Sequence, residues 1–70
     1  MLATLTLYKT AIEALLASRQ NEAFTRGEIF EIAGCPKRKT ANDALTILIG
    51  AGKISVMEND DGVRYLYARK

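Results

Sequence analysis

"PKRKTANDALTILIGAGKI", residues 36–54, decides the fold. Ala41, Ala44, Leu45 and Leu48 fall at i, i+3, i+4 and i+7, the apolar stripe of an amphipathic helix from about Lys37 to Gly50. Gly52 supplies a residue free to take the left-handed conformation that ends such a helix. At the other end stand three adjacent cations, Lys37, Arg38 and Lys39. Cations there oppose the positive end of the helix dipole. The cluster therefore costs stability unless an anion uses it.

Downstream, the β-rich runs "KISVM" and "VRYLYA" flank "ENDDG", which predicts a β-hairpin. Asp60, Asp61 and Gly62 tolerate the positive φ that tight turns demand. The register stays open: Ile54 and Val56 share a face either with Tyr65 and Tyr67 or with Leu66.

Upstream, "FTRGEIFEIAG" opens with Thr25 three residues ahead of Glu28, the spacing of a capping box. Phe24 precedes the cap and is placed to pack on Ile29 as a hydrophobic staple. A short helix over about residues 26–33 follows. Ile29, Ile32 and Ala33 form its expected buried stripe, Phe30 flanks it, and Gly34 stops it. Earlier still, Leu5, Tyr8, Ile12, Leu15 and Leu16 recur at helical spacing, with Lys9, Glu13 and Arg19 on the other side. That predicts a first helix over about residues 5–19, capped by Thr4 or Thr6, with "RQNE" as the closing loop.

The expected order is helix, helix, tight turn, helix, hairpin: one α+β domain over residues 1–70. Two short helices joined by a glycine-containing turn make a helix-turn-helix unit. A third helix followed at once by a hairpin resembles the winged helix-turn-helix family over nearly the whole chain. The sharpest point of likeness is "ALTILIGAGKI", which looks like the end of that family's recognition helix and its entry into the first wing strand.

The inventory of side chains narrows the chemistry. The chain of 70 residues is 49% hydrophobic and 26% charged, with no histidine and a single cysteine, Cys35. The commonest general base is absent and the thiol has no imidazole to activate it, so an enzyme is not expected. No disulfide, Cys/His metal cluster or cofactor is expected either, and Cys35 reads as a small connector residue. No apolar run approaches the roughly 20 residues of a membrane span. "MLATLTLYKT" does not look like a secretory signal, so a cytoplasmic setting is the expectation.

Net charge is only +2, but it is unevenly spread. Residues 1–34 set Lys9, Arg19 and Arg26 against Glu13, Glu22, Glu28 and Glu31. Residues 35–57 set Lys37, Arg38, Lys39 and Lys53 against Asp43 alone. The rest is neutral. The positive charge thus sits in the middle of the chain.

Rotating the third helix by about 100° per residue puts Lys39, Asp43 and Thr46 opposite the apolar stripe, with Thr40, Asn42 and Ile47 at the edges. The family resemblance implies that this outward face enters the major groove of duplex DNA. Lys39, Thr40, Asn42, Asp43 and Thr46 then occupy matching positions, and Lys37 and Arg38 lie where the helix N-terminus meets phosphate. The chemistry suits those places. Lys39 can donate to guanine, and Asn42 can form a bidentate pair with adenine. Asp43 either accepts from cytosine or pairs with Lys39 at i, i+4, the pair being the expected outcome. The resemblance also implies that Arg64, early in the second wing strand, reaches DNA.

Two features depart from the family pattern. The wing tip "ENDDG" carries three acids, which phosphate repels, and Arg69 and Lys70 offset them only in part. Leu2 and Leu7 fall outside the main stripe of the first helix. Ile47 points outward from the third helix and Ile49 sits at the edge of its buried stripe, so one of the two isoleucines is expected to be exposed. Together they suggest a homodimer through the first helix. The expected function is therefore sequence-specific duplex DNA binding by a small transcriptional regulator. The alternative is a protein-interaction module that uses the acidic wing and the exposed apolar residues.

Overall fold

A computed structural model describes residues 2–68, with side chains from residue 4 onward. The architecture is α+β: three helices, α1 (Leu2–Ser18), α2 (Arg26–Ala33) and α3 (Arg38–Gly50), precede two antiparallel strands, β1 (Ile54–Asn59) and β2 (Gly62–Tyr67). None of these helices is long and apolar enough to cross a membrane.

One apolar core joins all five elements. Ile12 and Leu16 from α1, Ile29 and Phe30 from α2, and Ala41, Ala44, Leu45 and Leu48 from α3 are buried with Ile54 and Tyr65. Leu5, Tyr8 and Leu15 pack at its edge. Burying one Leu or Ile side chain contributes about 1.5–3 kcal/mol, so the α1 and α3 stripes supply much of the stability available to so short a chain.

α1 begins earlier than its periodicity suggests. Thr4 and Thr6 lie inside the helix and cannot cap it. Its exposed positions also differ from the expected charged side: Thr6, Leu7, Thr10, Ala14 and Ser18 face solvent, while Lys9 and Glu13 are half-buried flanks. Glu13 reaches Lys53, at 3.4 Å, beside the start of β1.

α2 starts at the expected capping box. The Thr25 hydroxyl accepts from the Glu28 N–H at 3.2 Å, and the Glu28 carboxylate accepts from the Thr25 N–H at 2.9 Å. The buried stripe is Ile29, Phe30 and Ala33 rather than Ile29, Ile32 and Ala33, and Ile32 is 50% exposed. The Phe30 ring buries more apolar area than Ile32 would, and a helix of two turns is rotated toward the larger group.

Both α2 and α3 end in the same way. Gly34 N–H donates to Glu31 O while Cys35 N–H donates to Phe30 O, and Gly52 N–H donates to Ile49 O while Lys53 N–H donates to Leu48 O. These are Schellman closures. They require the φ of +73° at Gly34 and +78° at Gly52, which only glycine adopts without strain.

The hairpin register pairs Ile54 with Tyr67 and Val56 with Tyr65, so those four share one face and Leu66 lies on the other with Ser55 and Met57. The turn is built differently from the expectation: Asp60 and Asp61 keep negative φ, and only Gly62 is positive, at +122°. Asn59 supplies the missing turn geometry, its side-chain oxygen accepting from the Asp61 N–H at 2.9 Å. Phe24 adds a single-residue bridge on the far side of β2, exchanging two backbone hydrogen bonds with Tyr65.

Candidate nucleic-acid interface

The geometry of α3 follows from its own residues. With Ala41, Ala44, Leu45 and Leu48 committed to the core, the opposite azimuth carries Lys39, Asp43, Thr46 and Gly50, all exposed. Ile47 is exposed and Ile49 packs at the core edge, both as expected, while Thr40 is half-buried. Among the described residues, nothing buries Lys39, Asp43 or Thr46 on this outward ridge.

The head of this helix is electropositive and uncapped. Lys37 stands at the N-cap without a side-chain hydrogen bond, and no acid occupies the first turn. The first intrahelical bond is Ala41 N–H to Lys37 O, at 2.8 Å. The N–H groups of Arg38, Lys39 and Thr40 therefore precede the ladder and point outward from the helix end. The Tyr8 hydroxyl accepts from the Lys37 N–H at 3.3 Å, which ties this end to α1.

Lys37, Arg38 and Lys39 are exposed and make no ion pair among the described residues. Glu31 lines the same shallow cleft as Arg38, with Gly27, Phe30, Cys35 and Pro36, yet does not pair with it. The expected Lys39–Asp43 pair does not form. Lysine ahead of the acid is the weaker order on a helix, and two exposed side chains gain little from being held together.

Asn42 is placed less simply. Its side-chain oxygen is buried without a hydrogen-bond partner. A bidentate pair with adenine needs both ends of the amide in the groove, so Asn42 must change rotamer to read a base. The inward carbonyl costs about 1–3 kcal/mol, which makes the outward rotamer accessible.

Arg64 does not join the α3 ridge. Its guanidinium lies 3.8 Å from the Glu28 carboxylate, at the start of α2. The neighbouring cation Arg26 is turned onto Tyr65, donating to its hydroxyl at 2.8 Å and lying 5.7 Å from the ring centre. Both therefore brace α2 against β2. That pairing, and the Phe24 bridge, leave no periodic signal in the sequence, since each links residues about 40 positions apart. Leu2's side chain, Arg69 and Lys70 lie outside the described residues.

Cys35 is buried in the connector, and burial pushes its thiol above the ordinary value of 9.0. A neutral, covered thiol is a packing group. Comparison with protein families, characterised proteins and solved structures finds no match to this chain.

Proposed function

We propose that this chain is a winged helix-turn-helix protein that binds duplex DNA through α3, as a small regulator of transcription or a related DNA transaction. The observation that carries the reading is the α3 ridge: open to solvent, headed by Lys37, Arg38 and Lys39, none of which is neutralised by the protein's own acids. A phosphate at the helix head gains from the free N–H groups and the dipole and from the counterions those cations release. It also removes the repulsion among the three cations. Lys39, Asp43 and Thr46 then face base edges, with Thr40 and Asn42 at the margins of the groove.

The wing departs from this role. Its tip holds Glu58, Asp60 and Asp61, and its Arg64 is engaged by Glu28. In this reading the wing stays clear of phosphate and α3 carries the contact.

A homodimer through α1 is part of the same proposal. Leu7 is 67% exposed on an uncharged outer face that it shares with Thr6, Thr10, Ala14 and Ser18. A two-fold pair would present two α3 ridges to one duplex, and affinity needs that doubling when a single domain offers so few contacts. Selection from a pool of random duplexes tests the reading. It should return an enriched motif repeated as two half-sites, whereas a pool unchanged after selection at low salt would remove the proposal.

A further inference from the structure

The outer edge of β1 is an unoccupied strand template. Phe24 takes both backbone groups of Tyr65, so Tyr65 and its partner Val56 form a non-hydrogen-bonded pair of the hairpin. Alternation then makes Ser55, Met57 and Asn59 the residues that bond to β2. The Ala68 N–H to Lys53 O bond, at 3.1 Å, keeps the same parity. The N–H and C=O groups of Val56 and Glu58 consequently point away from β2, and no other strand pairs with them among the described residues.

Proteins usually blunt such an edge with lysine, proline or a bulge. "ISVMEN" has none of these. Instead it exposes apolar side chains: Val56 at 45% and Val63 at 41% lie diagonally on one face, and Met57 at 39% lies on the other. Beyond them the chain turns through Asp60 and Asp61, with Glu58 adjacent, and the nearest wing cation, Arg64, is held by Glu28. The tip is therefore uniformly acidic.

We infer that β1 accepts an extended segment of a partner protein as a third hairpin strand. That segment carries an apolar residue opposite Val56 and lysine or arginine beside Asp60 and Asp61. Main-chain hydrogen bonds to Val56 and Glu58 provide affinity, and the acidic tip selects for charge. The free stretch, Val56 to Asn59, is too short to bury the roughly 1,200–2,000 Å² of a stable interface between folded domains. A short peptide fits it better than a second copy of this chain. The inference does not rest on DNA binding by α3.

The test is titration of the isotope-labelled full chain with a seven-residue probe of alternating valine and threonine that ends in two lysines. Amide shifts should centre on Val56 and Glu58. Replacing both lysines by glutamate, or Asp60 and Asp61 by asparagine, should weaken binding about five- to ten-fold, as two exposed ion pairs allow. N-methylation of the probe backbone should abolish binding. Asp60 and Asp61 are exposed, so the doubly substituted chain should keep its spectrum elsewhere. Equal binding of the glutamate-ended or N-methylated probe overturns the inference. So do shifts confined to α3, or self-association through β1 with no response to peptide.

Discussion

Phe24 and Tyr65 are joined by two reciprocal backbone hydrogen bonds, Phe24 N–H to Tyr65 O at 2.8 Å and Tyr65 N–H to Phe24 O at 2.7 Å. Both side chains are buried. This one contact locks the segment ahead of α2 to the hairpin, and Arg26 and Arg64 reinforce it from either side. Phe24→Ala should cost about 3–5 kcal/mol, a large share of the 5–15 kcal/mol typical of a domain. Tyr65→Phe, which removes only the hydroxyl that Arg26 meets, should cost about 1 kcal/mol. Urea unfolding midpoints check both.

Two glycines near the end of α3 should respond with opposite signs. Gly50 is helical with open space where a Cβ would stand, so Gly50→Ala should raise stability by about 0.5–1 kcal/mol. Gly52 has the same open space but a φ of +78°, so Gly52→Ala should lower stability by about 1–2 kcal/mol. Thermal unfolding of the pair compares them directly.

Asn42→Ala separates stability from recognition. Removing the unpartnered inward carbonyl should leave stability unchanged or raise it by about 1 kcal/mol. Affinity for a selected duplex should fall by about 1–3 kcal/mol if Asn42 swings out to adenine. A loss of stability with unchanged affinity would assign Asn42 to packing alone.

The Cys35 thiol titrates above 9.0 in the folded chain because burial disfavours the thiolate. The unfolded chain then loses its proton first as pH rises. The contribution of Cys35 to stability is complete below about pH 9 and is lost between that value and the higher folded one. The stability difference between the wild type and Cys35→Ala should be constant between about pH 6 and 8 and shrink above 9.0. At neutral pH a thiol reagent should label Cys35 only as fast as the chain opens.

Long stripes and strong punctuation were legible in the sequence. Ala41, Ala44, Leu45 and Leu48 recur over two helical turns, so their burial could be read directly, and the Thr25–Glu28 box and the glycines at 34 and 52 mark helix ends by local chemistry. α2 was rotated by its context. With only eight residues, choosing Phe30 over Ile32 depends on the ring finding space in the core. Register, the Phe24 bridge and the Arg64–Glu28 pair are tertiary facts with no period to detect.

The candidate site divides along the same line. The outward face of α3 follows from its periodicity, so Lys39, Asp43 and Thr46 could be placed from the sequence. Side-chain partners could not. The inward carbonyl of Asn42 and the engagement of Arg64 depend on rotamers that periodicity does not carry, and the Lys39–Asp43 pair fails because two exposed side chains gain little from meeting.

If α1 forms the dimer, the Leu7 side chain is its most exposed apolar group. Leu7→Lys should convert a dimer to a monomer in sedimentation equilibrium while leaving the unfolding midpoint of dilute protein nearly unchanged, because Leu7 is two-thirds exposed and is not part of the core. A wild type that is monomeric at every concentration tested would exclude this interface.

The central claim, that the cationic head of α3 meets DNA phosphates, is tested most directly by duplex affinity measured against salt. The wild type should bind with an affinity that falls steeply as salt rises. Lys37→Ala and Lys39→Ala should each flatten the logarithmic slope by about one unit. No binding to any duplex at low salt, or a slope that neither substitution changes, would contradict it.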